Sequence, residues 1–307
     1  MVVESRRVAP GWPYRILSDI GAPRARQQYD SAESVGRAAK TFIALAPLAS
    51  IQLERGELRA AKATLRTMVD SASARGNAGA ALHASSMAAW ASVILGKPDP
   101  ATAAAAAADL DAAEKAFPIE QQPLPKRPYY VLAAAYVAAG RINRAKTLIQ
   151  EGDRRYSRGL ANYYRDVGAV AKGMTALAEG RASDAVVALS VGSQCGGMDA
   201  RPRMCLLPFL GMAYDRAGQT DSARAVLRRY VDRPSEAVNE LSYGLTMGPS
   251  LQRLGELDEA KGDLASAIKT YERLIDLWKN ADADLAPRVE DIRRRVERLK
   301  AVEARKR

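Results

Sequence analysis

Catalysis needs nucleophiles, acids, bases or metal ligands at set spacings, and this sequence is poor in them. It holds one histidine, His83, and two cysteines, Cys195 and Cys205, in 307 residues. A histidine-based triad would have to use His83, which sits among Ala, Ser and Met with no Ser or Cys nucleophile motif beside it. Three such residues cannot furnish a four-ligand Cys/His zinc site. Glu256, Asp258, Glu259 and Asp263 cluster, yet no Gly-rich phosphate loop or metal-ligand spacing accompanies them, so they read as a solvated acidic face. Walker A, kinase catalytic-loop and dinucleotide fingerprints are absent. The expectation is a non-enzymatic chain with no cofactor and no metal.

Charge offers a second kind of chemistry. Forty-six Lys and Arg against 35 Asp and Glu give a net charge of +11, which favours an acidic partner or surface. Residues 141–165 hold seven Lys/Arg against two acids, interleaved with Tyr156, Tyr163 and Tyr164. Arg154, Arg155, Arg158 and Arg165 in this stretch are candidates for nucleic-acid binding. A solvated helix face over core tyrosines accounts for the same pattern. A second basic cluster, with Arg293, Arg294 and Arg295, lies in 288–307, where nine Lys/Arg face four acids. It is a candidate for RNA or an anionic surface. Cys195 and Cys205 flank a Gly- and Pro-containing loop. They could pair in an oxidising compartment and would be two ordinary thiols in the cytoplasm.

The elements that position these residues are helical. Alanine makes up about a fifth of the chain and aromatics 6%, which suits helices better than a β-sandwich. A turn recurs: a helix-like run ends in Gly, a short polar step follows, and a second run begins with Ala. The glycines are 56, 96, 140, 180, 218 and 262, spaced 40, 44, 40, 38 and 44, the Gly96 copy being degenerate. Gly ends the first helix because the chain turns left-handed there. Large–small pairs such as Leu210-Gly211 and Leu254-Gly255 lie upstream, and Leu65, Ile149, Leu189, Leu227 and Tyr271 supply the bulky inward residue downstream. An irregular helical bundle is the competing reading. Residues 1–30, broken by Pro10, Pro13 and Pro23, form an irregular segment; 31–286 hold the repeats, with Pro47 kinking or starting a helix. Residues 287–307 form a basic capping helix with Val289, Ile292, Val296 and Leu299 on one stripe. No apolar run reads as a membrane span, and the start lacks a signal-peptide core, which points to the cytoplasm.

Leu210-Gly211, Tyr214, Gly218, Ala223, Leu227, Tyr230 and Pro234 resemble a tetratricopeptide (TPR) repeat. Leu254-Gly255, Gly262, Ala267, Tyr271 and Leu274 resemble another, and Leu132-Ala133, Tyr136, Gly140, Ala145 and Ile149 a third. The resemblance implies an all-α, right-handed solenoid of about six helix pairs, with a concave groove that holds a protein or peptide segment. Carried onto this chain, the family's groove positions are Arg127, Tyr130 and Ala134; Val167, Val170 and Met174; Cys205, Pro208 and Met212; and Pro249, Gln252 and Glu256. These residues lack the basic clamp that grips acidic C-termini. Arg127, Tyr130, Met174, Met212, Gln252 and Glu256 are the candidate partner contacts, on a mixed groove suited to an apolar or amphipathic segment. Core packing is the other role open to them.

Residues 207–215 and 254–299 also resemble bacterial proteins in which a TPR region follows a serine/threonine kinase or transcription-regulator domain. That resemblance implies a detached sensory region, and an extracytoplasmic setting if the parent is membrane-anchored. The alternative function is a nucleic-acid or anionic-surface binder working through the basic clusters.

Overall fold

The computed structural model describes residue 34 and residues 42–191, 206–232 and 240–305. Within them are fourteen α-helices and no strand. In order they are α1 (Phe42–Glu54), α2 (Leu58–Ala74), α3 (Ala78–Leu95), α4 (Pro100–Ala116), α5 (Tyr129–Ala138), α6 (Ile142–Arg155) and α7 (Arg158–Tyr163). There follow α8 (Arg165–Ala178), α9 (Ala182–Ser190), α10 (Leu207–Arg216), α11 (Thr220–Asp232), α12 (Glu240–Ala260), α13 (Leu264–Leu277) and α14 (Ala286–Ala304). Pro47 lies inside α1 and does not divide it. The expected irregular segment 1–30 lies outside the described residues.

Six hairpins carry the architecture: α1/α2, α3/α4, α5/α6, α8/α9, α10/α11 and α12/α13. Five of their turns use one device. Gly56, Gly140, Gly180, Gly218 and Gly262 sit at φ between 73° and 77°. In each turn the following residue's N–H donates to the carbonyl five residues back, as Arg141 does to Tyr136 at 2.8 Å. This ties off a helix carbonyl that would otherwise lack a partner. The degenerate Gly96 departs from the scheme, with φ −78°. There Asp99 caps α4 instead, its carboxylate accepting from Thr102 N–H at 2.7 Å.

The large–small pairing is borne out in contact. A methyl group on Gly211 would fall 2.6 Å from Leu227, and one on Gly173 would fall 2.6 Å from Leu189. Gly255 lies against the Tyr271 ring in the same way. In these three hairpins the second helix thus drives one buried side chain into a gap that only glycine leaves open.

The first helices form an inner layer: α3 packs on α5, α5 on α8, α8 on α10 and α10 on α12. The sequence does not announce the next contact, in which α12 packs along α1 and also touches α3. The first and last hairpins meet, and the solenoid closes into a ring. Its interior is filled by side chains. Trp90 of α3 and Phe209 of α10 are both fully buried, with ring centroids 5.9 Å apart.

Helix α3 is 18 residues long and apolar enough to cross a membrane, which corrects the expectation that no run reaches that length. In the fold it is a core helix, packed between α2, α4 and α5.

Candidate protein-binding surface

The predicted groove residues separate into three environments. Arg127 is a loop staple. Its guanidinium donates to the carbonyls of Gln122 and Glu120, each at 2.7 Å, and to the Tyr129 hydroxyl at 3.2 Å. These bonds hold the 3-10 turns Ile119–Gln121 and Leu124–Lys126 ahead of α5. The Arg127 guanidinium is thus engaged in bracing the loop ahead of α5.

Tyr130 lies in a second environment. It is buried, with Gly152 of α6 and Gly168 of α8 pressed against its ring. Its hydroxyl donates to Asp153 at 2.7 Å, and Lys172 pairs with the same carboxylate at 2.8 Å. Burial, and then the Asp153 carboxylate, hold the phenol far above its usual range, so it stays a donor. Ala134, Val167, Val170 and Pro208 are buried as well. Cys205, and with it the question of a Cys195–Cys205 pairing, lies outside the described residues. The reason is general: α5 is buried from Tyr129 to Val137, so this inner helix has no open concave side.

Three of the remaining candidates, Met212, Gln252 and Glu256, lie on the neighbouring helices α10 and α12. Met212 of α10 is 40% exposed, one of five exposed large apolar side chains among the described residues. Gln252 and Glu256 of α12 stand half-open, joined by a 3.2 Å hydrogen bond. Arg253 ties α12 to α10 through a two-pronged pair with Asp215, at 2.8 and 2.7 Å, and reaches Glu256 at 2.7 Å. The Asp215 carboxylate raises the already high basicity of that guanidinium. Arg288 of α14 donates to Gln252 at 2.8 Å and lies over the Trp278 ring at 5.0 Å. Burial lowers its basicity. Sequence reasoning missed Arg253, Asp215 and Arg288. The spacing of Asp215 from Arg253 gives no local signal, because the two meet only when α10 and α12 pack. Met174 of α8 is half-buried against the core.

Most of the candidate arginines in the basic clusters make ion pairs within the chain, although both clusters keep a net positive charge. Arg154 and Arg155 share Glu151, at 3.7 and 3.3 Å, and Arg165 pairs with Asp166 at 3.2 Å. Arg158 is exposed and has no ion pair among the described residues. On α14, Arg293 pairs with Glu290 (3.6 Å), Arg294 with Asp291 (3.7 Å), and Arg295 with Asp291 (3.1 Å) and Glu259 (3.4 Å). The interleaved tyrosines belong mainly to a ladder running out of the core. Tyr129 and Tyr130 meet Tyr156 edge-on, and Tyr156 stacks on Tyr164 at 4.9 Å. Burial pushes the Tyr164 phenol up to about 12. Only Tyr163, at the outer end of the ladder, is exposed.

The acidic cluster is not a solvated face, which corrects the sequence reading. Asp258 is fully buried between Arg224, at 2.7 Å, and Arg228. Glu259 accepts from the Tyr271 hydroxyl at 3.1 Å and pairs with Arg295 and Arg298. Asp263 caps α13 by accepting from Ser266 N–H at 3.3 Å. These carboxylates are spent on joining α11, α12, α13 and α14. Among the described residues, no three His, Cys, Asp or Glu side chains gather as a metal site. His83 is partly buried in α3, and burial pushes its imidazole down to about 4.

No curated protein matches the chain in sequence. The tetratricopeptide repeat family profile matches residues 210–235 and 250–281. The first match covers α10 and α11, and the second covers the latter half of α12 with α13. These are the units in which Gly211 faces Leu227 and Gly255 faces Tyr271. Residues 210–235 and 250–281 are thus similar to tetratricopeptide repeats, and the described residues form an all-α, tetratricopeptide-like helical solenoid.

Proposed function

We propose that this chain is a non-enzymatic scaffold that binds a protein segment along the α10–α12 strip. Repeats of this family generally mediate protein–protein interaction. The observation that carries the reading is the pairing of an exposed Met212 with an ordered polar network, Asp215–Arg253–Glu256–Gln252–Arg288, built on the adjoining first helices α10 and α12 and on α14. A flexible thioether beside charges fixed in place suits an amphipathic segment: its apolar side meets Met212 and its polar side meets the network.

The test is affinity capture from nuclease-treated lysate with the full chain, its Met212→Lys variant and an Arg158→Ala control, washed at low and then moderate salt. A discrete protein retained by the parent and by Arg158→Ala, and lost by Met212→Lys, supports the strip. Retention that is unaffected by Met212→Lys but removed by Arg158→Ala or by salt refutes it, because binding would then follow the basic cluster.

A further inference from the structure

The two ends of the solenoid meet along a seam, and the loop after α13 is fixed there from several sides. Gly248 of α12 lies beneath the Trp278 ring. Trp278 Nε1 donates to the Glu54 carbonyl at 3.1 Å, and the Asp282 N–H donates to the Gly56 carbonyl at 3.0 Å. The Asp282 carboxylate accepts from Arg59 N–H at 2.6 Å and so caps α2, whose own Glu57 makes no side-chain cap. Trp278 is therefore a fixed wall, and the Arg288 guanidinium of α14 rests over its ring.

Arg288 is half-buried and makes no ion pair among the described residues. Arg55, Arg144, Arg224, Arg228, Arg273 and Arg295 are half-buried too, and each meets a carboxylate. Arg127 does not, but its Nε and both Nη nitrogens all find acceptors. Arg288 gives Nη2 to Gln252 at 2.8 Å and Nη1 to the Ile94 carbonyl at 3.4 Å, and its Nε–H has no acceptor among the described residues. The carboxylate whose charge reaches it is that of Glu256. Both oxygens of Glu256 are taken, one by Gln252 at 3.2 Å and the other by Arg253 at 2.7 Å. Arg253 holds Asp215 as well, so the network sets two acids on one arginine and none on the other. Bracing α3 against α12 needs a hydrogen-bond donor, not a charge. A guanidinium drawn part-way out of water without a counter-charge is costly, and an incoming carboxylate would remove that cost.

We propose that Arg288 is the acid-binding end of the α10–α12 strip and takes an Asp or Glu side chain of the bound segment. This rests on the reading of the strip as a binding surface and names its partner's chemistry: an amphipathic segment whose apolar residue meets Met212 and whose carboxylate meets Arg288. Trp278 and Gln252 hold the guanidinium in place, so its unused edge is set in advance for a carboxylate in its plane. Met212 stands one helical turn from Asp215, and the bonded series Asp215–Arg253–Glu256–Gln252 leads from there to Arg288. The charges along the way are paired with one another, which leaves Arg288 as the uncompensated cation of the network.

The experiment selects random peptides displayed on phage against the full chain at moderate salt, with Met212→Lys and Arg288→Met as parallel baits. A peptide enriched by the parent, and a copy with its acid replaced by the corresponding amide, are then titrated against each protein by fluorescence anisotropy. The parent is expected to enrich peptides that carry an apolar anchor and an acidic residue at a constant spacing from it. Replacing that acid is expected to weaken binding to the parent about tenfold and to Arg288→Met less than about twofold. Equal losses in the two proteins, or no acidic position among the parent's peptides, overturn the proposal. The strip is judged separately. Equal losses in peptides that Met212→Lys no longer binds overturn Arg288 and leave the strip standing. Unequal losses in peptides that Met212→Lys binds as well as the parent uphold Arg288 and overturn the strip. A parent that enriches no peptide overturns both. Should Arg288→Met lose its helical spectrum, Arg288→Gln, which keeps a donor but no charge, is held to the same comparison.

Discussion

Replacing Gly56 with alanine measures the ring seam against an internal standard. Gly56 and Gly262 have nearly the same backbone, with φ of 73° and 76°. Alanine in that left-handed region costs about 1–2 kcal/mol at either position. Around Gly262 nothing lies within 4 Å of an added methyl group, so the conformational cost is the whole effect. At Gly56 the methyl would fall 2.6 Å from Leu285, 2.9 Å from Ala281 and 3.3 Å from Trp278, all beyond the far side of the ring in sequence. Overpacking of this kind adds about 1–3 kcal/mol. Gly56→Ala is therefore expected to lose roughly 2–5 kcal/mol, and Gly262→Ala only the first 1–2. Urea unfolding followed by circular dichroism reads both as midpoint shifts, with Gly140→Ala, equally open, as a second standard. If Gly56→Ala costs no more than the other two, the turn at 56 is not packed under the 278–285 loop and the ring is not closed there.

Asp258→Ala should be among the most damaging single changes, costing about 3 kcal/mol, because it leaves Arg224 and Arg228 facing each other without their buried counter-charge; thermal unfolding checks this, and a loss near zero would refute the clamp. Folding stability should fall as pH drops from about 6.5 towards 4, at no more than about 1.4 kcal/mol per pH unit from His83. The sign follows from burial: the folded imidazole, held down to about 4, stays neutral while the unfolded one takes up a proton. His83→Gln should flatten that part of the urea midpoint–pH curve, and an unchanged slope would exonerate the histidine. Arg127→Ala should raise deuterium uptake across 119–128, where its guanidinium bonds Glu120 and Gln122; protection equal to the parent's would show that the staple is dispensable.

The hairpins were legible because a turn needing a left-handed residue writes a glycine into the sequence, and a close crossing writes a small residue opposite a large one. Both signals are local. Gly76, at φ 63° between α2 and α3, escaped notice because it marks a link between hairpins and falls outside the forty-residue spacing. Ring closure leaves no such period, since α1 and α12 meet far apart in the chain. A signal was present nonetheless. Helix α1, with the sequence FIALAPLASIQLE, has no charged residue before Glu54, whereas the end of an open solenoid needs a polar outer face. The acidic cluster was misread for a related reason: a carboxylate on a helix looks solvated until the arginines of α11 and α14 are folded over it. Tyr130 and Arg127 were assigned to a groove from register alone, which cannot say whether the inner layer is open.

The cap that Asp282 places on α2 also sets an order of events during synthesis. Residues 42–74 leave the ribosome long before residue 282 exists, so the first hairpin emerges with α2 uncapped by Asp282 and with an α1 face that α12 does not yet cover. Its last bonds wait for a residue 223 positions further along the chain, the reverse of the unit-by-unit propagation an open repeat array permits. Nascent chains halted before residue 240 are therefore expected to present α1 to chaperones, and release of that contact should coincide with the arrival of α12 and the loop behind it.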